Sequence, residues 1–293
     1  MKSRVPLLGL FLAVVSSLSA QPATPPPTRG RAPAEAALNP ALPTLFIAGD
    51  STAARAGGNA PNQGWGVPFA DYFDTTKINL ANRARGGRSS RTFITEGWWE
   101  RLLAEVKPGD FVLIQFGHND NGGINEEPPG SKFPLRARGT IPGLGGESQE
   151  IDNVVTKKHE VVHTFGWYMR RMIADVQAKH AHPIVVTLTV RDEWSDGKIE
   201  RGPGPYSQWS REIAKAAGVP LVDLTKYAAD YYEKLGREKV DEFFPNRLRK
   251  DTTHFTAAAA DLNAAFVVAG LKELPGNPFA ASLSAKGRAV SQP

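Results

Sequence analysis

"TLFIAGDST", Thr44–Thr52, decides the fold. Its apolar residues run without the polar alternation of a half-exposed strand. A continuous run of this length reads as a strand covered on both faces, the habit of parallel sheets flanked by helices. The run stops at Gly49, and Asp50 and Ser51 follow at once. A hydroxyl therefore stands at the strand's carboxyl end, the side on which open α/β sheets bind ligands.

The same grammar repeats outward from this stretch. "KINLAN" (77–82), "DFVLIQFG" (110–117), "PIVVTLTV" (183–190) and "VPLVDL" (219–224) read as further strands. Between and after them, 66–74, 98–106, 165–179 and 207–217 have helical spacing with charged faces, and 256–274 reads as a long final helix with Thr256 as its N-cap. Alternating β and α elements imply one doubly wound parallel sheet with helices on both sides. With strand order 2-1-3-4-5, the binding crevice falls between the first and third strands.

Ahead of this domain, "MKSRVPLLGLFLAVVSSLSA" has a short basic start, an apolar stretch too short for a membrane span and a small-residue end. Residues 1–20 read as a cleavable export signal; an uncleaved anchor is the alternative. Residues 21–43 are rich in Pro and Ala and read as a linker. The expected domain is 44–275, with 276–293 as a tail. The destination is periplasmic or extracellular, with no membrane association in the mature form. There is no cysteine, so an exported chain must be held by its core, and a thiol nucleophile is excluded. Removing Lys2 and Arg4 with the signal leaves 33 basic against 30 acidic residues, and no dense basic run points to nucleic acid.

Residues of about 121–165 break the rhythm with a segment rich in Gly, Pro and charge, a candidate lid or substrate platform on the ligand-binding face. It contains "HEVVH", His159–His163, the pattern by which a helix presents two zinc ligands and a base. The flanks, however, read as a β-hairpin with a Thr-Lys-Lys turn. In a strand, residues four apart are separated by about 13 Å, too far to share an ion. We therefore expect no metal here and give His159, His163, His180 and His182 no catalytic role.

A different set of residues converges on the crevice. Ser51 follows the first strand, Gly87 in "ARGGRSSR" follows the second, and Asn119 in "IQFGHND" follows the third. "KDTTHF" puts Asp251 and His254 three residues apart just before the final helix. His254 has the chemistry to take the Ser51 proton near neutral pH, and Asp251 to hold the imidazole tautomer. The N–H groups of Ser51 and Gly87 and the Asn119 amide are suited to holding an oxyanion. His118 and Asp120 read as supports of that loop, and Trp65, Trp98 and Trp99 as packing residues.

These blocks, Gly-Asp-Ser, then Gly, then Gly-x-Asn-Asp, then Asp-x-x-His, resemble the SGNH (GDSL-type) hydrolase superfamily. "AGDST", "GWG" (64–66), "GGRSSR", "QFGHND" and "DTTH" are most similar to the rhamnogalacturonan acetylesterases. The resemblance implies a flavodoxin-like three-layer α/β/α sandwich with a five-stranded parallel sheet. It also implies a Ser51, Asp251, His254 triad with Ser51, Gly87 and Asn119 as oxyanion residues, no cofactor, and an acetylated, acidic pectic polysaccharide as partner. The chain departs from the fungal pattern in lacking cysteines and in the 121–165 insertion. Arg88, Arg91, Arg191 and Trp194 lie on the expected active face, where arginine pairs with uronates and tryptophan stacks on sugars. Xylan, another glycan or a small acyl ester remains an alternative substrate. A catalytically silent glycan-binding protein is the alternative of another class.

Overall fold

The computed structural model describes residues 37–56, 61–126 and 137–291. Residues 1–20, most of the 21–43 linker and 127–136 of the insertion lie outside that set.

Strand β1 (Thr44–Gly49) is the centre of the molecule. It pairs in parallel with β2 (Asn79–Asn82) on one side and β3 (Phe111–Gln115) on the other. Next in the chain come the antiparallel hairpin β4 (Ser148–Asp152) and β5 (His159–His163). β6 (His182–Val186) then pairs with β3, the short ribbon β7 (Trp194–Ser195) and β8 (Lys198–Ile199) follows, and β9 (Leu221–Val222) pairs with β6. The main sheet is thus five parallel strands in the order β2-β1-β3-β6-β9, the 2-1-3-4-5 order expected.

Successive side chains of a strand face opposite ways, and β1 uses both faces. Leu45 and Ile47 enter one buried core, while Phe46 and Ala48 enter the other. Helices α1 (Ser90–Thr95), α2 (Trp98–Glu105), α3 (Phe165–Ala178) and α4 (Tyr206–Ala217) cover the Phe46 face. Helices α5 (Leu224–Leu235), α6 (Arg237–Asp241) and α7 (Ala257–Lys272) cover the Leu45 face. The result is the three-layer sandwich.

Three boundaries differ from the sequence reading. The expected helix 66–74 is one 3-10 turn, Pro68–Tyr72, with no side-chain cap at Val67. The fifth strand contracts from 219–224 to two residues, because Asp223 already turns the chain into α5 by accepting the N–H of Lys226. The fourth strand ends at Val186, and its continuation to Val190 runs buried beyond the ladder. Thr256 does cap α7, accepting from the N–H of Ala259.

The segment after 275, set apart above as a tail, is packed. It carries a 3-10 turn (Ala280–Ser282) and α8 (Ala285–Ala289). Phe279 is fully buried with its ring 4.7 Å from that of Phe111, and Leu283 bridges to Phe73.

Candidate active site

The site is built where three strands end. Asp50 and Ser51 leave β1, and a tight turn leads back through Thr52, whose N–H and hydroxyl both donate to the Asp50 carboxylate at 2.8 Å. Below it, Gln115 at the end of β3 accepts from the Trp65 indole at 2.8 Å and donates to the carbonyl of Thr187. This buried amide ties together the carboxyl ends of β3 and β6 and the turn that carries Ser51. Trp65 is therefore a core residue, as expected.

His254 reaches the serine from the other end of the chain. Its Nε2 lies 2.8 Å from Ser51 Oγ, and its Nδ1 lies 3.0 Å from each carboxylate oxygen of Asp251. A carboxylate facing Nδ1 keeps the proton there and leaves Nε2 to accept from the serine hydroxyl. Burial works against ionisation of Asp251. The N–H groups of His254 and Thr253, together with the imidazole, outweigh it and hold the carboxyl below its ordinary 3.8. The Asp251–His254 loop is braced by the stretch after β6. Asp192 N–H donates to the Thr252 carbonyl, Thr252 donates to Glu193, and Arg247 and Trp194 both donate to the Asp192 carboxylate.

Gly86 and Gly87 stand beside the serine: a Cβ on Gly86 would lie 3.8 Å from that of Ser51. Gly87 has φ +76°, a conformation in which a side chain is strained. Asn119 is nearly buried and donates one amide hydrogen to the carbonyl of Arg88 at 3.0 Å, which locks it to the Gly87 turn. The structure thus brings Ser51, Gly87, Asn119, Asp251 and His254 to one rim.

The neighbouring residues hold that rim. Asp120 accepts from the Ser90 N–H and hydroxyl at the start of α1, and burial lifts its carboxyl to about 7; Ser90 opposes this and the Asp50 charge adds to it. His118 lies 3.0 Å from Thr189, and burial, with the Arg191 and His254 charges, drops it to about 3, so its ring is neutral. Burial likewise raises Asp50, partly offset by Thr52.

The four expected substrate residues fare differently. Arg91 is corrected outright: its side chain is 0% exposed, bonds Glu160 through two nitrogens at 2.7 and 2.9 Å, and donates to the carbonyls of Ile124 and Gly139. It fastens the insertion to α1 and has no surface to offer a sugar. Trp194 spends its indole N–H on Asp192 and packs its ring on the core, so its placement is that of a brace. Arg88 sits on the rim, paired with Glu96 at 2.8 Å. Arg191 is part-exposed near Glu193, its charge felt at both His118 and Asp50.

"HEVVH" is a strand, as the flanks suggested. His159 pairs with Asp152 and His163 with Ser148 across the hairpin. Glu160 is the Arg91 partner, and His163 stacks on Trp167 at 3.9 Å. Beside the rim, the insertion bounds a polar cleft of about 390 Å³ between Gly122, Asn125, Glu126, Gln149 and Tyr206. Sequence reasoning missed Glu160, Asp192 and Gln115. Each acts through partners tens of residues away, and no local pattern marks them.

Residues 47–262 match the GDSL-like lipase/acylhydrolase family, and the chain belongs to it. It is a carboxylic ester hydrolase. Among curated proteins it is similar to the rhamnogalacturonan acetylesterase of Emericella nidulans, 32% identical over 75% of this chain and 80% of that one. It is also similar to the probable rhamnogalacturonan acetylesterase YesY of Bacillus subtilis, 30% identical over 82% of this chain and 96% of the relative. Among solved structures, YxiM of Bacillus subtilis matches with TM-score 0.59 at 25% identity, covering 80% of this chain and 57% of that one.

Proposed function

We propose that this chain is an exported serine esterase that removes acetyl groups from rhamnogalacturonan by a Ser51-His254-Asp251 mechanism. The observation that carries the reading is the unbroken contact series from Ser51 Oγ to His254 to Asp251, 2.8 and then 3.0 Å, on a rim shared with Gly87 and Asn119. The substrate comes from the relatives named above, and export from residues 1–20.

In this mechanism Ser51 Oγ attacks the acetyl carbonyl carbon while His254 Nε2 takes its proton. The oxyanion is held by the N–H groups of Ser51 and Gly87 and the remaining N–H of the Asn119 amide. His254 then gives its proton to the departing sugar oxygen. Water, deprotonated by the same nitrogen, attacks the acetyl-serine, and acetate leaves as the Ser51 hydroxyl is restored. Asp251, already ionised, stabilises the imidazolium at both stages.

Acetate release tests this, using the mature protein and Ser51→Ala on acetylated rhamnogalacturonan, acetylated xylan and a small aryl acetate, with and without EDTA. The expected result is release that resists EDTA, disappears in Ser51→Ala and is fastest on rhamnogalacturonan. Preference for xylan would reassign the substrate. Release that survives Ser51→Ala would end the serine mechanism.

A further inference from the structure

We infer that Trp98, with the Arg85 and Arg101 guanidiniums lying over its ring, forms a docking surface for a uronate-bearing stretch of polysaccharide, outside the Ser51 crevice and along the β2 edge of the sheet. The inference deepens the proposed function and rests on it for the class of polymer.

β2 is the outer strand beside β1, and the chain leaves it through Arg85 toward the Gly87 turn. The Arg85 N–H donates to the carbonyl of Gly49, the last residue of β1, at 2.9 Å, and its carbonyl accepts from the Arg88 N–H at 3.3 Å. Its backbone is therefore fixed to the strand end that delivers Asp50 and Ser51. The side chain leaves that rim for α2, where the guanidinium carbon lies 4.3 Å from the centre of the Trp98 ring. Arg101, three positions along α2 and so on the same helix face, puts its own guanidinium 4.6 Å from that ring. Trp98 is itself held, with its ring against the core and its indole N–H donating to Glu96 at 2.9 Å.

The neighbouring charges pair with one another. Glu96 also meets Arg88 at 2.8 Å, Glu105 meets Arg83 at 2.6 Å, and Glu100 lies 3.7 Å from Arg171. Among the described residues, neither the Arg85 nor the Arg101 guanidinium meets a carboxylate or another acceptor, and both residues are exposed. Two positive charges are thus left on one ring. Like charges held this close repel, and an anion bridging their edges relieves the repulsion.

A guanidinium over an indole uses its face, while its N–H donors stay in the plane and point outward. That fork matches a carboxylate with two parallel hydrogen bonds. The ring also limits the rotamers of both arginines, so less freedom is lost on binding. Two forks on one rigid spacer suit a polymer that repeats its carboxylates. Galacturonate carries one on each sugar, whereas xylose and rhamnose carry none. Gly86, next to Arg85, adjoins Ser51, so a chain seated on this surface continues onto the rim.

Calorimetry with an unacetylated oligogalacturonate and its carboxyl-reduced counterpart tests this without calling on catalysis. The parent should bind the acidic oligosaccharide at least about tenfold more tightly than the reduced one, as a charge-assisted pair warrants. Arg85→Gln with Arg101→Gln should bring the two affinities to within about twofold, while the corresponding lysine pair keeps part of the preference. Arg249→Gln with Lys250→Gln, which removes two exposed cations just ahead of Asp251, is the control and should keep most of it. An equal loss in that control would show that net charge holds the polymer, and the proposal falls. No preference in the parent, or an undiminished one in the double glutamine variant, overturns it as well. Should that double variant fold poorly, Arg101→Gln decides alone, and an unchanged preference sinks the idea. Acetate release by the parent is scored separately, so a failure of the esterase reading leaves the binding result standing.

Discussion

His254 presents two nitrogens, and each has one partner, which makes Asp251 the most informative residue to change. Its carboxyl is held below 3.8 by the N–H groups of its own turn and by the imidazole, so it stays charged throughout mildly acid and neutral pH. Asparagine keeps the size of the side chain but turns an N–H toward Nδ1. The proton then moves to Nε2, where it blocks acceptance from Ser51. Asp251→Asn is expected to lower kcat by about 10³- to 10⁴-fold, as loss of the tautomer does in serine triads. Circular dichroism and the unfolding midpoint should stay near those of the parent, because the turn's N–H groups keep an oxygen acceptor. Retained turnover would show that Asp251 is a loop cap and nothing more. The meeting of Ser51, Gly87, Asn119, Asp251 and His254 at one rim was legible in the sequence because each follows a strand's carboxyl end or stands just ahead of a helix. The arginines were not, because proximity to the rim says nothing of which way a long side chain turns; Arg91 turned inward.

At the scale of elements, the hairpin β4–β5 shows how a motif acquires its meaning from its surroundings. Glu160 holds the proton-abstracting place of the zinc-protease pattern, but in a strand it reaches across to α1 and meets the buried Arg91. Local β-branching was enough to read the hairpin, whereas the Arg91–Glu160 pair spans 69 positions and only folding reveals it. Removing one partner of a buried pair leaves the other charge desolvated. Glu160→Ala is expected to cost about 3 kcal/mol in denaturant unfolding, the low end for such losses, because two carbonyls still accept from Arg91. The pH dependence follows from the Glu160 carboxyl. Burial raises it, but Arg91 and Asn153 outweigh burial and hold it below 4.5. A lowered carboxyl contributes stability above its unfolded value, which is lost as pH falls through the folded one. The parent's advantage over Glu160→Gln should therefore be full at neutral pH and shrink below about 4.5. A constant difference from pH 7 to pH 3 would remove the ion pair as its source.

Across the whole molecule, the proposed site and the packed carboxyl-terminal segment occupy opposite ends of the sheet. Ser51 and Asn119 follow the carboxyl ends of β1 and β3, while Phe111, the first residue of β3, meets the packed carboxyl-terminal segment at the amino ends. That segment is bound by more than Phe279. Asp74 donates its N–H to the Ser282 carbonyl at 2.7 Å, Ser284 donates its own to Tyr72 at 3.0 Å, and Lys286 pairs with Asp261 at 2.6 Å. Sequence reading passed over it because short turns rich in Ala, Gly and Ser have no period to detect, and its two anchors, Phe279 and Leu283, are too few to form one. Removing 276–293 uncovers Phe73 and Phe111 together with the loss of both anchors, and one buried side chain of that size is worth about 1.5–3 kcal/mol. The truncated chain is expected to lose at least about 3 kcal/mol in denaturant unfolding. Its kcat on an aryl acetate at low temperature should hold, because none of these contacts reaches His254 or Ser51. Lost activity in a truncated chain that unfolds like the parent would contradict this division, since it would tie the segment to the rim by a route other than folding. Equal stability would mean that the amino ends of the strands close over Phe111 without it.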